Sequence, residues 1–230
     1  MKKIPITLLS ILFFSSGLVA IAQESKSMFP KAPRKYGENP WTGGKSWGKA
    51  KIPDKFDAAC NAGNGKSYFF TGSQYWRWDN KTRMIDAGYP KQISGGWSGI
   101  PNDLDAATYG VTGKGTGKIY FFKGSKFWRW DVATDTMDKG YPMYIKEGWP
   151  GLVVEKLSCA LRVDKTHIIF ISGGVAFYWD MKTDTLKKDR SPLKVEAPNL
   201  PNNLDAALWD SATGASESTA FFKDRQYYGY

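Results

Sequence analysis

Apolar and polar residues alternate in four similar stretches of the chain, and a tight turn interrupts each stretch. Two alternating runs around a two-residue turn are typical of a β-hairpin. The second run of each hairpin is rich in aromatic residues, as in the Trp-Arg-Trp sequence at 76–78. The four predicted hairpins align without a gap and cover Lys66–Asp79, Lys118–Asp131, His167–Asp180 and Ser218–Tyr230.

A short element of small residues precedes each hairpin, namely Phe56–Ala59, Leu104–Ala107, Leu157–Ala160 and Leu204–Ala207. These elements begin 48, 53 and 47 residues apart, which indicates a structural repeat. Strands that converge on one axis leave room only for small side chains, whereas propeller blades diverge further out and accept large rings. The pattern predicts an all-β fold, a four-bladed β-propeller whose fourth blade is truncated at the C-terminus, with blades at about 56–101, 104–152, 157–201 and 204–230.

The first 22 residues have the pattern of a secretory signal peptide. A start with two lysines is followed by the apolar stretch Ile6–Ala20 and by the small-residue sequence Ala20–Ala22. No second apolar run of membrane length follows. We therefore expect a secreted protein, in the periplasm or the extracellular medium, without a transmembrane segment.

The chain after the signal peptide divides into an N-terminal segment, 23–52, and the propeller, 53–230. Because the fourth blade ends one strand early, its outer edge needs a cover. We expect the segment 41–52 to lie along that edge, although its glycines and lysines are also typical of a flexible linker.

Composition and charge limit the classes of function that this chain can have. The formal net charge is +10, but the basic residues are scattered, which favours a soluble surface over nucleic-acid binding. No Gly-x-Ser-x-Gly elbow, no His-Glu-x-x-His motif and no glycine-rich phosphate loop occurs, and His167 is the only histidine. The aromatic share of 15%, with ten tryptophans, is typical of a core between blades. The sequence predicts a binding protein rather than an enzyme.

The Asp-Ala-Ala element, the aromatic hairpin ending in Trp-Arg-Trp-Asp and the Gly-Tyr-Pro that follows resemble the hemopexin repeat. The resemblance covers about Phe56 to Tyr230 and is greatest to small single-domain plant seed and bacterial members. It implies one central channel in which backbone carbonyls hold a cation, Ca²⁺ or Na⁺. The matching positions are Asp57, Asp105, Ser158 and Asp205, with a second ring at Ala59, Ala107, Ala160 and Ala207.

Two further features of that family bear on this chain. Animal members join their first and last blades by a disulfide, but neither cysteine here lies in the fourth repeat. For Cys60 and Cys159 two alternatives stay open: a disulfide across the channel, or two buried thiols. The serum haem-carrying mechanism uses paired histidines, so His167 is expected to be a solvated strand-edge residue, with a single haem ligand as the alternative.

The sequence therefore predicts a secreted, non-enzymatic binding protein with a cation in its channel. Its ligand is expected to be a small cationic molecule such as a polyamine, or haem, or a protein partner. The alternative is a secreted toxin or virulence factor, for example an insecticidal one, that recognises a host surface. A monomer and a dimer are both compatible with the sequence.

Overall fold

The computed structural model of the protein describes residues 34–38, 53, 55–110, 112–188, 191, 193–194, 201, 203–210, 218–224 and 226–229. These residues form four sheets in which all neighbouring strands are antiparallel. We call the sheets blades 1 to 4 in the order in which their hairpins occur along the chain. In the described part of the chain, no helix has the length and apolar character needed to span a membrane.

Blade 1 contains β2 (Ala58–Asn61), β3 (Lys66–Thr71), β4 (Gln74–Asp79), β5 (Met84–Ile85) and β6 (Lys91–Gln92). Blade 2 contains β7 (Ala106–Gly110), β8 (Lys118–Lys123), β9 (Lys126–Asp131), β10 (Thr136–Met137) and β11 (Met143–Tyr144). Blade 3 contains β12 (Cys159–Arg162), β13 (His167–Ser172), β14 (Val175–Asp180), β15 (Thr185–Leu186) and β16 (Leu193–Lys194). Blade 4 contains β17 (Ala206–Asp210), β18 (Ser218–Lys223) and β19 (Gln226–Gly229), together with β1 (Arg34–Glu38) from the N-terminal segment.

The four blades form a closed ring around one axis. Each first strand, β2, β7, β12 or β17, contacts the first strands of the two flanking blades, so these four strands surround the axis. A short helix follows the outer strands of blade 1 (α1, Ile93–Gly96) and of blade 2 (α2, Ile145–Gly148). The prediction of a four-bladed β-propeller is therefore confirmed.

Side-chain size increases from the axis outwards. The alanines of the inner strands are at most 2% exposed, and the rings of β3, β8, β13 and β18 fill the spaces behind them. Trp97, directly after α1, lies 5.2 Å from Phe121 and 5.1 Å from Trp130 of blade 2, measured between ring centroids. Trp149 takes the same place between blades 2 and 3. These two tryptophans hold adjacent blades together by aromatic packing.

The hairpin between the second and third strands of each blade depends on its first turn residue. Gly72, Gly124, Gly173 and Asp224 adopt φ between +51° and +57°. Glycine adopts such angles without steric cost, and aspartate tolerates them better than most residues. The turn positions expected from the sequence thus have the backbone geometry that a two-residue hairpin needs.

The outer edge of blade 4 is paired with the N-terminal strand β1. Arg34 is opposite Gly229 and Tyr36 is opposite Tyr227 in an antiparallel register. The segment 41–52, which was expected on this edge, lies outside the described residues. The strand that the structure places there is Arg34–Glu38, and it gives blade 4 a fourth strand that its own sequence lacks.

The disulfide alternative for Cys60 and Cys159 is wrong, because both are free, buried thiols. Cys159 is the first residue of its strand and pairs with Ile171, whereas Cys60 is the third residue of its strand and pairs with Tyr68. The two side chains therefore differ in height along the axis, and they pack into separate hydrophobic clusters. Burial raises the pKa of both thiols.

Candidate functional site

A β-bulge marks the start of the inner strand in every blade. Ala58 pairs with Phe70, yet the Asp57 N–H also donates to the Phe70 carbonyl, at 2.8 Å. Two residues thus face one, which defines a bulge and takes the extra residue out of the ladder. The same bonds recur at the matching positions, from Asp105 to Phe122, from Ser158 to Ile171 and from Asp205 to Phe222.

The bulges leave four backbone carbonyls outside the sheet hydrogen bonds. Among the described residues, none donates a backbone hydrogen bond to the carbonyl oxygen of Asp57, Asp105, Ser158 or Asp205. Each of these residues stands directly before a strand of the inner ring. Buried or partly buried carbonyls ordinarily find a partner, so these four oxygens remain available as acceptors.

The carboxylates of these residues have a different role, which the sequence did not reveal. Each one accepts a hydrogen bond from the hairpin turn of its own blade: Asp57 from the Gly72 N–H at 2.7 Å, and Asp105 from the Gly124 N–H at 2.6 Å. Asp205 accepts one from the Asp224 N–H at 2.6 Å. The side chains therefore connect the inner strand to the turn of the same blade.

Lysines neutralise the three carboxylates. Lys55 Nζ lies 3.3 Å from Asp57, Lys156 Nζ lies 2.9 Å from Asp105, and Lys223 Nζ lies 3.2 Å from Asp205. Lys156 belongs to the segment that enters blade 3, so its ion pair also links blades 2 and 3. The channel mouth thus carries less negative charge than three aspartates imply. The Lys156–Asp105 and Lys223–Asp205 pairs join residues that are distant in the chain, and no local sequence pattern indicates them.

The second predicted ring lies around one small space on the axis, which we call the axial pocket. Ala59, Ala107, Ala160 and Ala207 all line it, together with the residues that follow them on the inner strands. The axial pocket has a volume of about 10 Å³, close to the roughly 10–15 Å³ that one water-sized sphere needs. The first ring is not part of its lining, because those residues precede the strands.

Polar groups are present in the lining of the axial pocket. Thr108 is 2% exposed, and its Oγ1 atom has no hydrogen-bond partner among the described residues. Asn61 and Arg162 also line the pocket. No group of three or more His, Cys, Asp or Glu side chains in the described ranges is arranged to hold a metal ion. A cation in this channel would therefore be coordinated by backbone carbonyl and hydroxyl oxygens, which suit hard ions such as Ca²⁺.

His167 lies away from the channel, at the first position of β13. Its Nδ1 atom is 2.8 Å from Asp164 Oδ2, and its side chain is 26% exposed. The expectation of a solvated strand-edge residue is therefore only partly right: the position is correct, but the ring is half-buried and held by Asp164. Burial tends to raise the pKa of Asp164, yet hydrogen bonds from Thr166 and His167 outweigh it and hold that pKa below its usual value.

Four four- or five-stranded antiparallel blades around an alanine-lined channel define a four-bladed β-propeller with an axial site. Comparison with known families agrees, because the family model described as Hemopexin matches residues 56–102 and 105–153. The chain belongs to the hemopexin-like repeat family.

Sequence relatives include much longer proteins. Matrix metalloproteinase-21 of Mus musculus is 34% identical over 176 residues, which are 70% of this chain and 30% of that protein. Vitronectin of Sus scrofa is 43% identical over 88 residues, which are 36% of this chain and 18% of that protein. The chain thus spans less than a third of the length of these relatives.

Solved structures share the fold at low identity. A seed albumin from Lathyrus sativus has a TM-score of 0.63 at 16% identity, and the match covers 78% of this chain and 86% of that chain. A plant lectin with two metal binding sites from Cicer arietinum also has a TM-score of 0.63, at 17% identity, over 76% of this chain and 85% of that chain. At such identities the likeness concerns the fold alone.

The structure thus brings the second ring together, with Cys60 beside it in the lining of the axial pocket, and places the first ring at the strand starts. Cys159 and His167 are not part of that lining. None of these sites bears on the recognition of a host surface, which stays a prediction.

Proposed function

We propose that this chain is a non-enzymatic binding module, exported from the cell, whose channel holds one hard cation, Ca²⁺ or Na⁺. The ion is coordinated by the backbone carbonyl oxygens of Asp57, Asp105, Ser158 and Asp205, and water completes its shell. The single observation that carries this proposal is the β-bulge repeated at all four positions.

Repetition is the reason why the bulges support a site. A bulge at one strand start is explained by local twist, but four bulges at equivalent points around one axis support a site built from four oxygens of the same kind. Calcium takes about six to eight oxygen ligands at roughly 2.3–2.6 Å, so four carbonyls with a few waters are sufficient. Coordination by backbone atoms also explains why Ser158 is compatible with the site.

Size and charge favour an inorganic ion over a polyamine or haem. The axial pocket, which the second ring lines, has a volume of about 10 Å³, far below the roughly 300 Å³ at which pockets for organic ligands begin, so an organic ligand does not fit between the inner strands. The aspartates that would attract a polyamine are paired with Lys55, Lys156 and Lys223. His167 is the only histidine and is bonded to Asp164, so no pair of axial ligands supports haem binding.

The comparisons support the proposal at a coarser level. The relatives and neighbours include seed albumins, a lectin and vitronectin, which suggests a binding role rather than catalysis. The metal binding sites named for the Cicer arietinum lectin belong to that protein, and they make a cation in the present channel a reasonable expectation. Export rests on the signal-peptide pattern of residues 1–22.

The proposal is tested on mature protein that was purified without chelator. Elemental analysis by mass spectrometry counts the bound cation, and thermal melting compares EDTA-treated protein in CaCl₂, NaCl and choline chloride at equal ionic strength. A ligand at a thousandfold excess over its Kd stabilises by about 4 kcal/mol, which raises the Tm of a domain of this size by roughly 8–16 °C.

Two results would contradict the cation site. One is protein that carries no stoichiometric metal and melts at the same temperature in all three salts. The other is a melting temperature that rises with spermine but is the same in all three salts, which would assign the channel mouth to a polyamine instead.

A further inference from the structure

A second concave site lies at the side of blade 2 that faces blade 3, and we call it the blade-2 cleft. It has a volume of about 320 Å³ and is far larger than the axial pocket. Its walls include Tyr120, Phe127, Tyr141 and Trp149, and Asp184 of blade 3 completes its rim. A volume of this size is at the lower end of the range for small organic ligands, which is about 300–1,000 Å³.

The rim of the cleft is built from both blades. The short loop with Gly113 and Gly115 passes so close to Met181 of blade 3 that a Cβ on either glycine would lie within 2.5 Å of a Met181 atom. Lys114, between these glycines, extends to Asp184 with a distance of 2.9 Å between Nζ and Oδ2. Glycine is required here for close approach, so the loop is shaped to form this edge of the cleft.

Comparison with blade 1 shows one difference beside the cleft. Blade 1 has Tyr75 where blade 2 has Phe127, and both rings lie against a tyrosine of the Gly-Tyr-Pro sequence, with centroid distances of 5.4 and 5.3 Å. The Tyr75 hydroxyl is hydrogen bonded to Tyr89 and fills the corner beside Gly96. In blade 2 the Phe127 ring itself fills the corner beside Gly148, where an added Cβ would lie 2.2 Å from Phe127 Cζ, but Phe127 brings no hydroxyl to the neighbouring Tyr141.

Most charged groups of the cleft already have counter-ions. Lys114 is paired with Asp184, and the Arg129 Nε donates to Asp138, while the Arg129 guanidinium also reaches the hydroxyls of Tyr120 and Tyr141. Glu147 also lines the cleft, and it forms no ion pair among the described residues. An anionic ligand would have to compete with Asp184 or Asp138, which is costly. The cleft therefore disfavours an anion and leaves Glu147 as an acceptor for the hydroxyls of a ligand.

The polar groups of the cleft favour a ligand with hydroxyl groups. Arg129 donates hydrogen bonds, Glu147 accepts them, and the tyrosine hydroxyls do both. An apolar ligand would cover these groups without pairing them, at a cost of about 1–3 kcal/mol for each one left unsatisfied. The aromatic walls in turn need a ligand with an apolar face. A sugar ring combines hydroxyls at its edge with C–H groups on its faces.

We propose that the blade-2 cleft binds one neutral sugar ring, independently of any cation in the channel. The test uses saturation-transfer difference NMR on the mature chain with galactose, glucose, mannose and N-acetylglucosamine, and with phenol as an aromatic probe. We expect a saturable signal from at least one sugar and none from phenol.

Two pairs of variants locate the binding. Phe127→Tyr introduces the residue of blade 1, and its hydroxyl has to fit beside Gly148 and Tyr141, so we expect a sugar affinity about tenfold lower. Tyr75→Phe is the reverse change in blade 1 and should leave the affinity unchanged. Arg129→Gln and Arg77→Gln each remove the same ion pair with an aspartate, at Asp138 or Asp86, and should lower the Tm equally, but only Arg129→Gln should abolish sugar binding.

Several outcomes would overturn the proposal. No saturable signal from any of the four sugars would remove the ligand class, and binding of phenol without sugar would show an aromatic site instead. Equal affinities of the Phe127→Tyr variant and the wild type would place the sugar outside this cleft. Because the paired variants change blades 1 and 2 alike, a loss of folding is detected by their melting temperatures.

Discussion

Ser158 is the one position of the first ring that is not an aspartate. The other three positions are aspartates that accept a hydrogen bond from a turn N–H, whereas the Ser158 hydroxyl donates to the Ile171 carbonyl at 3.0 Å. Blade 3 consequently has no carboxylate brace between its inner strand and the turn at Gly173. It also contributes no acidic side chain near the four carbonyls of the proposed cation site.

Replacing Ser158 by aspartate should make blade 3 like the others. We expect Ser158→Asp to raise the free energy of unfolding by about 1 kcal/mol through a new hydrogen bond to the Gly173 N–H. The added negative charge should also strengthen binding of Ca²⁺, which titration calorimetry measures directly. Ser125→Asp places the same charge in an exposed turn of blade 2 and serves as the control. Equal calcium affinities of the two variants would argue against a cation beside Ser158.

At the scale of the elements, ion pairs link the two strands of a hairpin. Lys118 on β8 contacts Asp131 on β9 and lies 3.1 Å from Asp138, which also binds Arg129. Blade 1 repeats this arrangement around Lys66. The hydrogen bond from Lys118, with backbone N–H groups of the following turn, lowers the pKa of Asp131 from 3.8 to about 2. In blade 3, His167 takes the place of the lysine, so the same cluster is absent from the described part of that blade.

The lowered pKa of Asp131 predicts how stability changes in acid. Because the pKa is lower in the folded state, the ionised carboxylate stabilises the fold above about pH 4, and this contribution is lost as the pH falls towards 2. Urea unfolding of the wild type and of Asp131→Asn should therefore differ at pH 6 and converge near pH 2. In a Lys118→Gln background, the same substitution should have a much smaller pH-dependent effect. A difference that persists unchanged down to pH 2 would contradict this assignment.

The whole molecule is a ring whose closure depends on two distant parts of the chain. Strand β1 comes from the N-terminal segment, and β19 is close to the C-terminus, yet they pair through antiparallel backbone hydrogen bonds. In blade 4 this pairing replaces the fourth strand and covers an edge that would otherwise be open to other chains. The ring thus closes by hydrogen bonding rather than by a disulfide, and Cys60 and Cys159 remain thiols.

Removing β1 should weaken the ring and expose the edge of β19. We expect a mature protein that starts at residue 39 to melt at a lower temperature and to aggregate with increasing concentration, because an unpaired edge strand pairs readily with another chain. A protein that starts at residue 34 retains β1 and is the matched control. Light scattering and calorimetry over a concentration series distinguish the two. Identical melting and solubility of both proteins would show that β1 does not contribute to closure.

Much of the site could be predicted from repetition alone. The four Asp-Ala-Ala or Ser-Cys-Ala elements are equivalent in sequence, and equivalent elements in a ring are equidistant from its axis. The resemblance to the hemopexin repeat therefore implied a ring of Ala59, Ala107, Ala160 and Ala207, and in the structure all four line the axial pocket. The blade-2 cleft had no such signal, because it depends on a glycine-containing loop of blade 2 that contacts Met181 of the next blade.

The sequence by itself determined the fold class, the hairpins with their turn residues, and the gradient from small inner to large outer side chains, since these follow from local periodicity and residue size. Tertiary structure alone decided that Lys156 and Lys223 neutralise Asp105 and Asp205, that the two thiols stay apart, and which strand covers blade 4. Each of these outcomes depends on the distance between residues that are far apart in the chain. Such distances are set by how the blades pack around the axis, and no local pattern of residues encodes them.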